Sequence, residues 1–165
     1  MNIRLLNPLD AENYRNIRLE ALQNNPESFG SSYEEEKEIP LETYKSRFQS
    51  DQSFTFGAFE NEKLVGVVTL VKENKLKLKH KANIFAMYVS PKKRGIGIGK
   101  CLMVEVIKKA KDLKGIEQIY LSVVTTNESA KKLYSFLGFE VFGSERRALK
   151  FENTYLDEEH MVLFL

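Results

Sequence analysis

The spacing of the hydrophobic residues changes along the chain, and each change marks a structural element. Apolar residues recur at helical spacing after Asn7-Pro8 and again after Pro40, which predicts two helices in the first third of the chain. From Ser53 the period becomes two, which is typical of strands. The full prediction is strands at residues 3–6, 53–59, 64–71, 84–90, 116–124, 140–148 and 152–165, and helices at 8–25, 40–48, 98–113 and 128–137.

The centre of this pattern is a strand, a glycine-rich turn and a helix in direct succession. The apolar run at 84–90 predicts a buried strand, and Pro91 cannot donate to a strand ladder, so pairing should stop there. The following helix has apolar residues at positions 98, 102, 106, 110 and 113. Between strand and helix, three glycines stand at alternate positions with a basic residue at each end. The turn reads Arg94, Gly95, Ile96, Gly97, Ile98, Gly99 and Lys100.

A turn of this kind is suited to binding phosphate. The first N–H groups of a helix have no partner within the helix, and the helix dipole makes that end positive. Glycines let the backbone approach a ligand closely, so the turn predicts a pyrophosphate site. The alternative is a tight turn without a ligand, although three alternate glycines exceed what a turn requires.

Two common nucleotide-binding motifs do not fit this turn. A Walker loop requires a hydroxyl residue where this chain has Cys101. A dinucleotide fingerprint requires a third glycine where this chain has Lys100 or Leu102, depending on the register.

The composition is that of an ordinary folded domain. A length of 165 residues predicts one domain spanning residues 1–165, with 42% hydrophobic and 29% charged residues. The net charge of +2, and the lack of aromatic residues in the lysine-rich segment 72–81, argue against nucleic-acid binding. No run could cross a membrane, the N-terminus lacks the pattern of a signal peptide, and Cys101 is the only cysteine. We therefore expect a cytoplasmic protein without disulfides or a metal site.

Two motifs in the sequence resemble those of one known family. The first is Arg94-x-x-Gly97-x-Gly99 after a strand. The second begins at a predicted helix cap and reads Asn127-x-x-Ala130-x-x-Leu133-Tyr134-x-x-x-Gly138-Phe139. In this order and on these elements, they resemble the GNAT superfamily of N-acetyltransferases. The resemblance implies a single α/β (α+β) domain with a mixed, mostly antiparallel sheet of about seven strands. Helices would cover both faces, and the sheet would splay in the middle into a V-shaped cleft.

The resemblance also implies an activity and a site. The chain would be an acetyl-CoA-dependent N-acetyltransferase that passes the acetyl group to a primary amine of a small molecule or peptide by direct attack. Tyr134 would be the general acid that protonates the departing sulfur, with core packing as its alternative role. The pantetheine arm would lie along Met87, Tyr88 and Val89, and the pyrophosphate along Arg94, Gly95, Ile96, Gly97, Ile98, Gly99 and Lys100. Asn127 would contact the CoA arm, or only cap its helix.

The acceptor pocket has fewer sequence signals. The loop 29–36, with Phe29, Tyr33 and Glu34, and the last two predicted strands are expected to shape it. The acids at 34–36 would form an electronegative wall for a cationic acceptor, with an ordinary solvated surface as the alternative. Polyamines, aminoglycosides, amino acids and peptide N-termini all stay open as acceptors.

The sequence departs from the resembled family at the general base. Many relatives carry a glutamate on the strand before the glycine turn, where this chain has Phe85, Ala86 and Met87. Cys101 lies within a predicted helix and is expected in the core, not as a nucleophile. The remaining candidates for the base are bulk water, Glu34, Glu35, His80 and His160.

Two other functions remain open at the level of sequence. A CoA-binding fold could act as a non-catalytic sensor or regulatory module, and a degenerate phosphate loop could serve a nucleotide-dependent enzyme. Retention of Asn127 and Tyr134 favours the acetyltransferase over the sensor, and the failed Walker spacing counts against the nucleotide-dependent enzyme. As partners we expect a small-molecule amine or a peptide, no nucleic acid and no membrane, with a homodimer as an option.

Overall fold

Seven strands and five α-helices make up the chain, and the computed structural model describes all of residues 1–165. The strands are β1 (Asn2–Leu5), β2 (Ser53–Glu60), β3 (Lys63–Lys72), β4 (Lys81–Val89), β5 (Gln118–Val124), β6 (Glu140–Phe151) and β7 (Thr154–Phe164). The helices are α1 (Ala11–Asn24), α2 (Tyr33–Glu36), α3 (Leu41–Phe48), α4 (Ile98–Asp112) and α5 (Glu128–Phe136). Every predicted strand and helix is present with its ends within a few residues of the prediction. The short helix α2 is additional.

The strands form one sheet in the order β1-β2-β3-β4-β5-β7-β6. All neighbours are antiparallel except β4 and β5, which run parallel. This mixed, mostly antiparallel sheet confirms the predicted fold class. The parallel pair is joined at only three positions, where residues 81–83 pair with residues 118–120. Beyond these positions β4 and β5 separate, and the expected V-shaped cleft lies between them.

A bulge in β4 lies where the two strands separate. Val67 pairs with Tyr88 and Thr69 pairs with Phe85, so β4 has one residue more than β3 between these pairs. Within the bulge Ala86 has a φ of 54°, a left-handed conformation that costs roughly 1 kcal/mol for alanine. A bulge bends its strand and increases the local twist. Because this bend falls shortly after the last β4–β5 pair, it accounts for the opening of the cleft.

Helices cover both faces of the sheet, as expected. On one face, α4 buries Leu102 and Met103 completely against β2 and β3. On the other face, α1 and α3 bury Tyr14 and Tyr44. The predicted core position of Cys101 is wrong, because its side chain is exposed on α4. None of the helices combines the length and hydrophobicity needed to span a lipid bilayer.

The acidic run at 34–36 belongs to α2, where each carboxylate has a partner within the protein. Ser32 and Glu35 form a capping box, in which the Ser32 N–H and Oγ donate to Glu35 Oε2 at 3.0 and 2.8 Å. Glu34 is exposed and pairs with the lysine three residues later. Glu36 is buried and accepts from Nε and Nη2 of Arg18 at 3.0 and 2.8 Å. These contacts within the protein do not support the predicted electronegative wall, which stays a prediction.

We expect Glu36→Gln to lower the free energy of unfolding by about 3 kcal/mol, because it leaves the buried Arg18 guanidinium without its counter-charge. Glu34→Gln is the matched control. It removes the same charge from the same helix, but its side chain is 75% exposed, so its unfolding curve should coincide with that of the wild type. Urea denaturation measures both. Equal unfolding midpoints for the two variants would contradict a stabilising role for the Arg18–Glu36 pair.

Candidate active site

Two adjoining cavities occupy the V between β4 and β5. The first, which we call the turn cavity, has a volume of about 550 Å³ and lies between the end of β4, the glycine turn and α5. The second, the sheet cavity, has a volume of about 740 Å³ and lies between β4, β5 and the β6–β7 hairpin. The two cavities adjoin because the same residues line both, so one extended ligand can reach from one into the other. The shared residues are Ser28, Phe29, Met87, Val124, Asn127 and Tyr134.

The glycine turn forms one end of the turn cavity. Ten of the eleven residues predicted to contact the cofactor line this cavity. The exception is Ile96, which is 67% exposed and lies outside the wall. Gly97 precedes α4 with a φ of 88°, and a Cβ at this position would meet no atom within 4 Å.

The backbone of the turn supplies the donors. The six N–H groups of residues 95–100 donate no hydrogen bond within the protein. They surround the N-terminus of α4, the end that the helix dipole makes positive. Unpartnered N–H groups at this end of a helix form an anion site. The turn therefore fits the pyrophosphate that the sequence predicted for it.

Arg94 is fixed beside the turn by three contacts. Its Nε donates to the Val89 carbonyl oxygen at 2.8 Å, its Nη2 donates to Asn25 Oδ1 at 2.7 Å, and its guanidinium lies 5.4 Å from the centre of the Tyr88 ring. Asn25 was missed at the sequence level, because its role depends on a contact with a residue 69 positions away. At the other end of the turn, Lys100 lies over an aromatic ring of α5 at 4.5 Å. The site is therefore cationic at both ends.

The end of β4 forms the long wall of the turn cavity, through Met87, Tyr88 and Val89. The Tyr88 ring is buried on the opposite face of the sheet, where its hydroxyl donates to Glu20 Oε1 at 3.1 Å. Burial raises the pKa of this hydroxyl. Beyond residue 83 the edge of β4 that faces β5 has no strand partner. The backbone of Tyr88, and not its side chain, is therefore what a ligand in the cleft can reach.

Asn127 lines both cavities and also caps α5, as predicted. Its Oδ1 accepts from the Ala130 N–H at 3.3 Å and from Ser129 Oγ at 3.2 Å. Its Nδ2 donates no hydrogen bond within the protein. The two predicted roles are compatible, because the cap uses only the oxygen of the amide and leaves the nitrogen for a ligand.

Tyr134 stands at the junction of the two cavities. Its ring is 7% exposed and packs against Phe139 with ring centres 6.1 Å apart. Its hydroxyl has no hydrogen-bond partner in the protein, and the hydroxyl oxygen remains accessible to solvent. Burial raises the pKa of Tyr134 to about 12, so the phenol is protonated at neutral pH. Core packing and proton donation are thus compatible here, because the ring packs while the hydroxyl reaches the cleft.

The sheet cavity contains one of the three residues predicted to shape the acceptor pocket. Phe29 lies in its wall, whereas Tyr33 and Glu34 lie outside both cavities on α2. The last two strands, which were also predicted to shape the pocket, contribute Phe142, Leu149, Glu158 and His160 to the wall. The residues of the wall that were not predicted individually include Arg18, Lys81, Phe85, Tyr120, Ser122, Phe142 and Glu158.

Of the four side chains considered as the base, only His160 lines either cavity; Glu34, Glu35 and His80 do not. Both ring nitrogens of His160 are engaged. Nδ1 lies 2.7 Å from Ser122 Oγ, and Nε2 lies 3.2 Å from Glu145 Oε2. Neither ring nitrogen of His160 is therefore free to meet a ligand directly.

Comparisons with known proteins agree with this architecture. A family model described as an acetyltransferase (GNAT) domain matches residues 3–160. The acetyltransferase of the GNAT family from Streptococcus pneumoniae is 24% identical, with a TM-score of 0.87 and 99% of each chain covered. The ribosomal-protein-alanine N-acetyltransferase of Brucella melitensis is 21% identical, with a TM-score of 0.85 and 100% of each chain covered.

A third similar structure contains a ligand. It is the GNAT superfamily phosphinothricin acetyltransferase from Sinorhizobium meliloti, in complex with acetyl-CoA. It is 22% identical, with a TM-score of 0.83, and the alignment covers 99% of this chain and 88% of that one. A comparison with curated proteins found no match.

Proposed function

This chain belongs to the GNAT acetyltransferase family, and on that premise we propose that it is an acetyl-CoA-dependent N-acetyltransferase. It transfers the acetyl group to a primary amine of a small molecule or peptide by direct attack. One observation carries the proposal. The anion site at the glycine turn and the free hydroxyl of Tyr134 lie along one continuous cleft, which opens into a second cavity large enough for an acceptor. Phosphate binding and proton donation are thus available within reach of one extended ligand.

The residues of the turn cavity fit acetyl-CoA, the molecule found in the similar S. meliloti structure. The N–H groups of residues 95–100, with Arg94 and Lys100, hold the pyrophosphate. The free edge of β4 and Asn127 Nδ2 bind the amides of the extended arm. Bound in this way, acetyl-CoA supplies an acetyl group activated as a thioester.

Tyr134 acts at the end of that arm. Its neutral phenol donates a proton to the sulfur as negative charge develops there. The transfer proceeds directly, without an acyl-enzyme, and the one cysteine of the chain, Cys101, lines neither cavity. The acceptor enters from the sheet cavity, whose wall continues past Tyr134.

An acceptor panel tests the proposed function. Purified protein is incubated with acetyl-CoA and a polyamine, an aminoglycoside, an amino acid, an aromatic amine or a peptide with a free N-terminus, and free CoA is measured over time. We expect release with at least one amine and none with the corresponding alcohols. Calorimetric binding of acetyl-CoA without turnover of any amine would instead favour the non-catalytic sensor.

A further inference from the structure

The sheet cavity has a single carboxylate in its wall, that of Glu158 on β7. This carboxylate forms no ion pair or side-chain hydrogen bond within the protein. The two permanently cationic side chains in the wall each contact another side chain. Nε and Nη2 of Arg18 donate to the buried Glu36, whereas its Nη1 has no partner, and Lys81 lies 5.0 Å from the centre of the Tyr120 ring. Glu158 is therefore the free negative charge that an incoming ligand meets.

Glu158 is also placed beside the reaction centre. It pairs in the sheet with Val124, the last residue of β5. Val124 lines both cavities, as Tyr134 does. A group bound at Glu158 thus lies next to the junction where the arm of the cofactor would end.

Aromatic side chains form much of the remaining wall. Phe85 and Phe142 line the sheet cavity and are 56% and 57% exposed, although such rings are usually covered. Phe142 is held edge-on against Tyr120, with ring centres 5.5 Å apart and planes at 86°. Rings fixed in a cavity with open faces favour a ligand that covers them with an aromatic or apolar body.

We infer that Glu158 binds the ammonium group of the acceptor and takes its proton, and that the acceptor is a monoamine with an aromatic or apolar body. This inference rests on the proposed function. A polyamine fits less well, because its further ammonium groups would find no second free carboxylate in the wall and would meet Lys81. The strand glutamate of related enzymes is absent here, and Glu158 supplies the base from β7, across the cleft.

The proton balance closes with these residues. The acceptor enters as R–NH3⁺ and gives one proton to the Glu158 carboxylate. The amine nitrogen forms a C–N bond to the acetyl carbonyl carbon, and the C–S bond breaks. Sulfur leaves with the proton of the Tyr134 hydroxyl, and the second proton of the nitrogen restores that hydroxyl. Glu158 releases its proton to solvent, so each turnover yields an amide, a free thiol and one proton.

The surroundings of Glu158 suit a base. Burial raises the pKa of its carboxyl, the nearby Glu145 on β6 raises it further, and His160 lowers it. Activity should therefore fall as the pH drops through this raised pKa, because the protonated carboxyl can no longer accept a proton. The titratable and charged side chains that share the cavity wall with Glu158 are Arg18, Lys81, Tyr120, Tyr134 and His160.

The test uses full-length protein, with 2-phenylethylamine and spermidine as probes. We expect the wild type to acetylate 2-phenylethylamine with a kcat/KM at least tenfold above that for spermidine. Glu158→Gln should lower kcat/KM for 2-phenylethylamine by roughly thirtyfold, less than a fully enclosed base would lose because water reaches the cavity. It should also remove the acidic limb of the pH profile. Calorimetry with the CoA-bound protein should show roughly tenfold weaker binding of 2-phenylethylamine, and unchanged binding of CoA.

Glu159→Gln is the matched control. It removes the same charge one residue further along β7, on the opposite face, where Glu159 pairs with Lys131 at 3.2 Å. Its kinetics should match the wild type. The inference is overturned if kcat/KM of Glu158→Gln for 2-phenylethylamine is within twofold of the wild-type value, or if the wild type prefers spermidine. The inference is also overturned if the wild type binds acetyl-CoA but acetylates neither probe. In that case the wider acceptor panel decides the proposed function. Failure to bind acetyl-CoA would count against the proposed function itself.

Discussion

We expect Gly97→Glu to lower the affinity for CoA at least a hundredfold while the protein stays folded. Gly97 has a φ of 88° and no atom within 4 Å of the position of a Cβ, so the new side chain has room to project into the turn cavity. There the carboxylate would occupy the place that we propose for the pyrophosphate and repel it. It would also pair with the free N–H groups that we propose bind the phosphate. Isothermal titration calorimetry with CoA measures the loss.

Gly115→Glu separates this effect from backbone strain. Gly115 has the same φ of 88° and the same open surroundings, but it follows the other end of α4 and lines neither cavity. Both variants place a glutamate in a left-handed conformation, at a cost of about 1–2 kcal/mol. Gly115→Glu should therefore lower stability to a similar degree and bind CoA like the wild type. A folded Gly97→Glu protein with normal CoA affinity would remove the glycine turn from the proposed site.

We expect Tyr134→Phe to lower kcat roughly a hundredfold with little change in acetyl-CoA affinity, as is typical for loss of a general acid. Phenylalanine keeps the ring and its packing against Phe139 but removes the proton that we propose is donated to the sulfur. The raised pKa of about 12 adds a pH signature. The protonated phenol is the active form. Deprotonation of Tyr134 should therefore not reduce wild-type activity at any pH up to about 11.

Steady-state kinetics with saturating acceptor measure this loss. Leu133→Ala provides a comparison, since Leu133 precedes Tyr134 on α5 and lines only the turn cavity. It should mainly affect acetyl-CoA binding and leave the chemistry of bound substrate largely intact. A kcat for Tyr134→Phe within twofold of the wild type would assign Tyr134 to packing alone and leave solvent as the proton donor.

Local signals in the sequence were sufficient for the elements of the fold. Asn7 and Asn127 both cap helices as their residue types predict. The glycine turn lies where the strand pattern ends and the helical pattern begins. Ser32 and Glu35 carried a capping-box signal as well, but the acidic run around it looked like solvated surface, so α2 was not predicted.

The burial of Cys101 was predicted wrongly because the pattern of α4 was not resolved into its buried and exposed faces. The buried stripe of α4 contains Ile98, Leu102 and Val106. Cys101 is one position before Leu102, so it is turned by about 100° from that residue around the helix axis. The fact that Cys101 lies within an amphipathic helix therefore did not predict whether its side chain is buried. Its angle around the helix axis does, because that angle places the side chain outside the buried stripe.

The acceptor side depends on pairings that no local pattern contains. Ser122 and His160 are 38 residues apart, and only the β5–β7 register brings them into contact. Glu158 occurs in a run of three acids, of which it alone lines the cavity. The turn cavity, by contrast, is lined largely by one continuous stretch of chain, and for that reason ten of the residues predicted to contact the cofactor lie in its wall.

The pairing of β4 with β5 at only three positions also affects how the acceptor specificity of this enzyme can change in evolution. The proposed pyrophosphate site lies between β4 and α4, and most of the proposed acceptor wall belongs to β5, β6 and β7. Few backbone bonds join the two groups of strands, so substitutions deep in the acceptor wall have few routes by which to disturb the turn. Their effects should be close to additive with those at the turn. Selection could thus replace the acceptor while keeping the acyl donor, and a laboratory library confined to β6 and β7 would search new acceptors on an unchanged cofactor site.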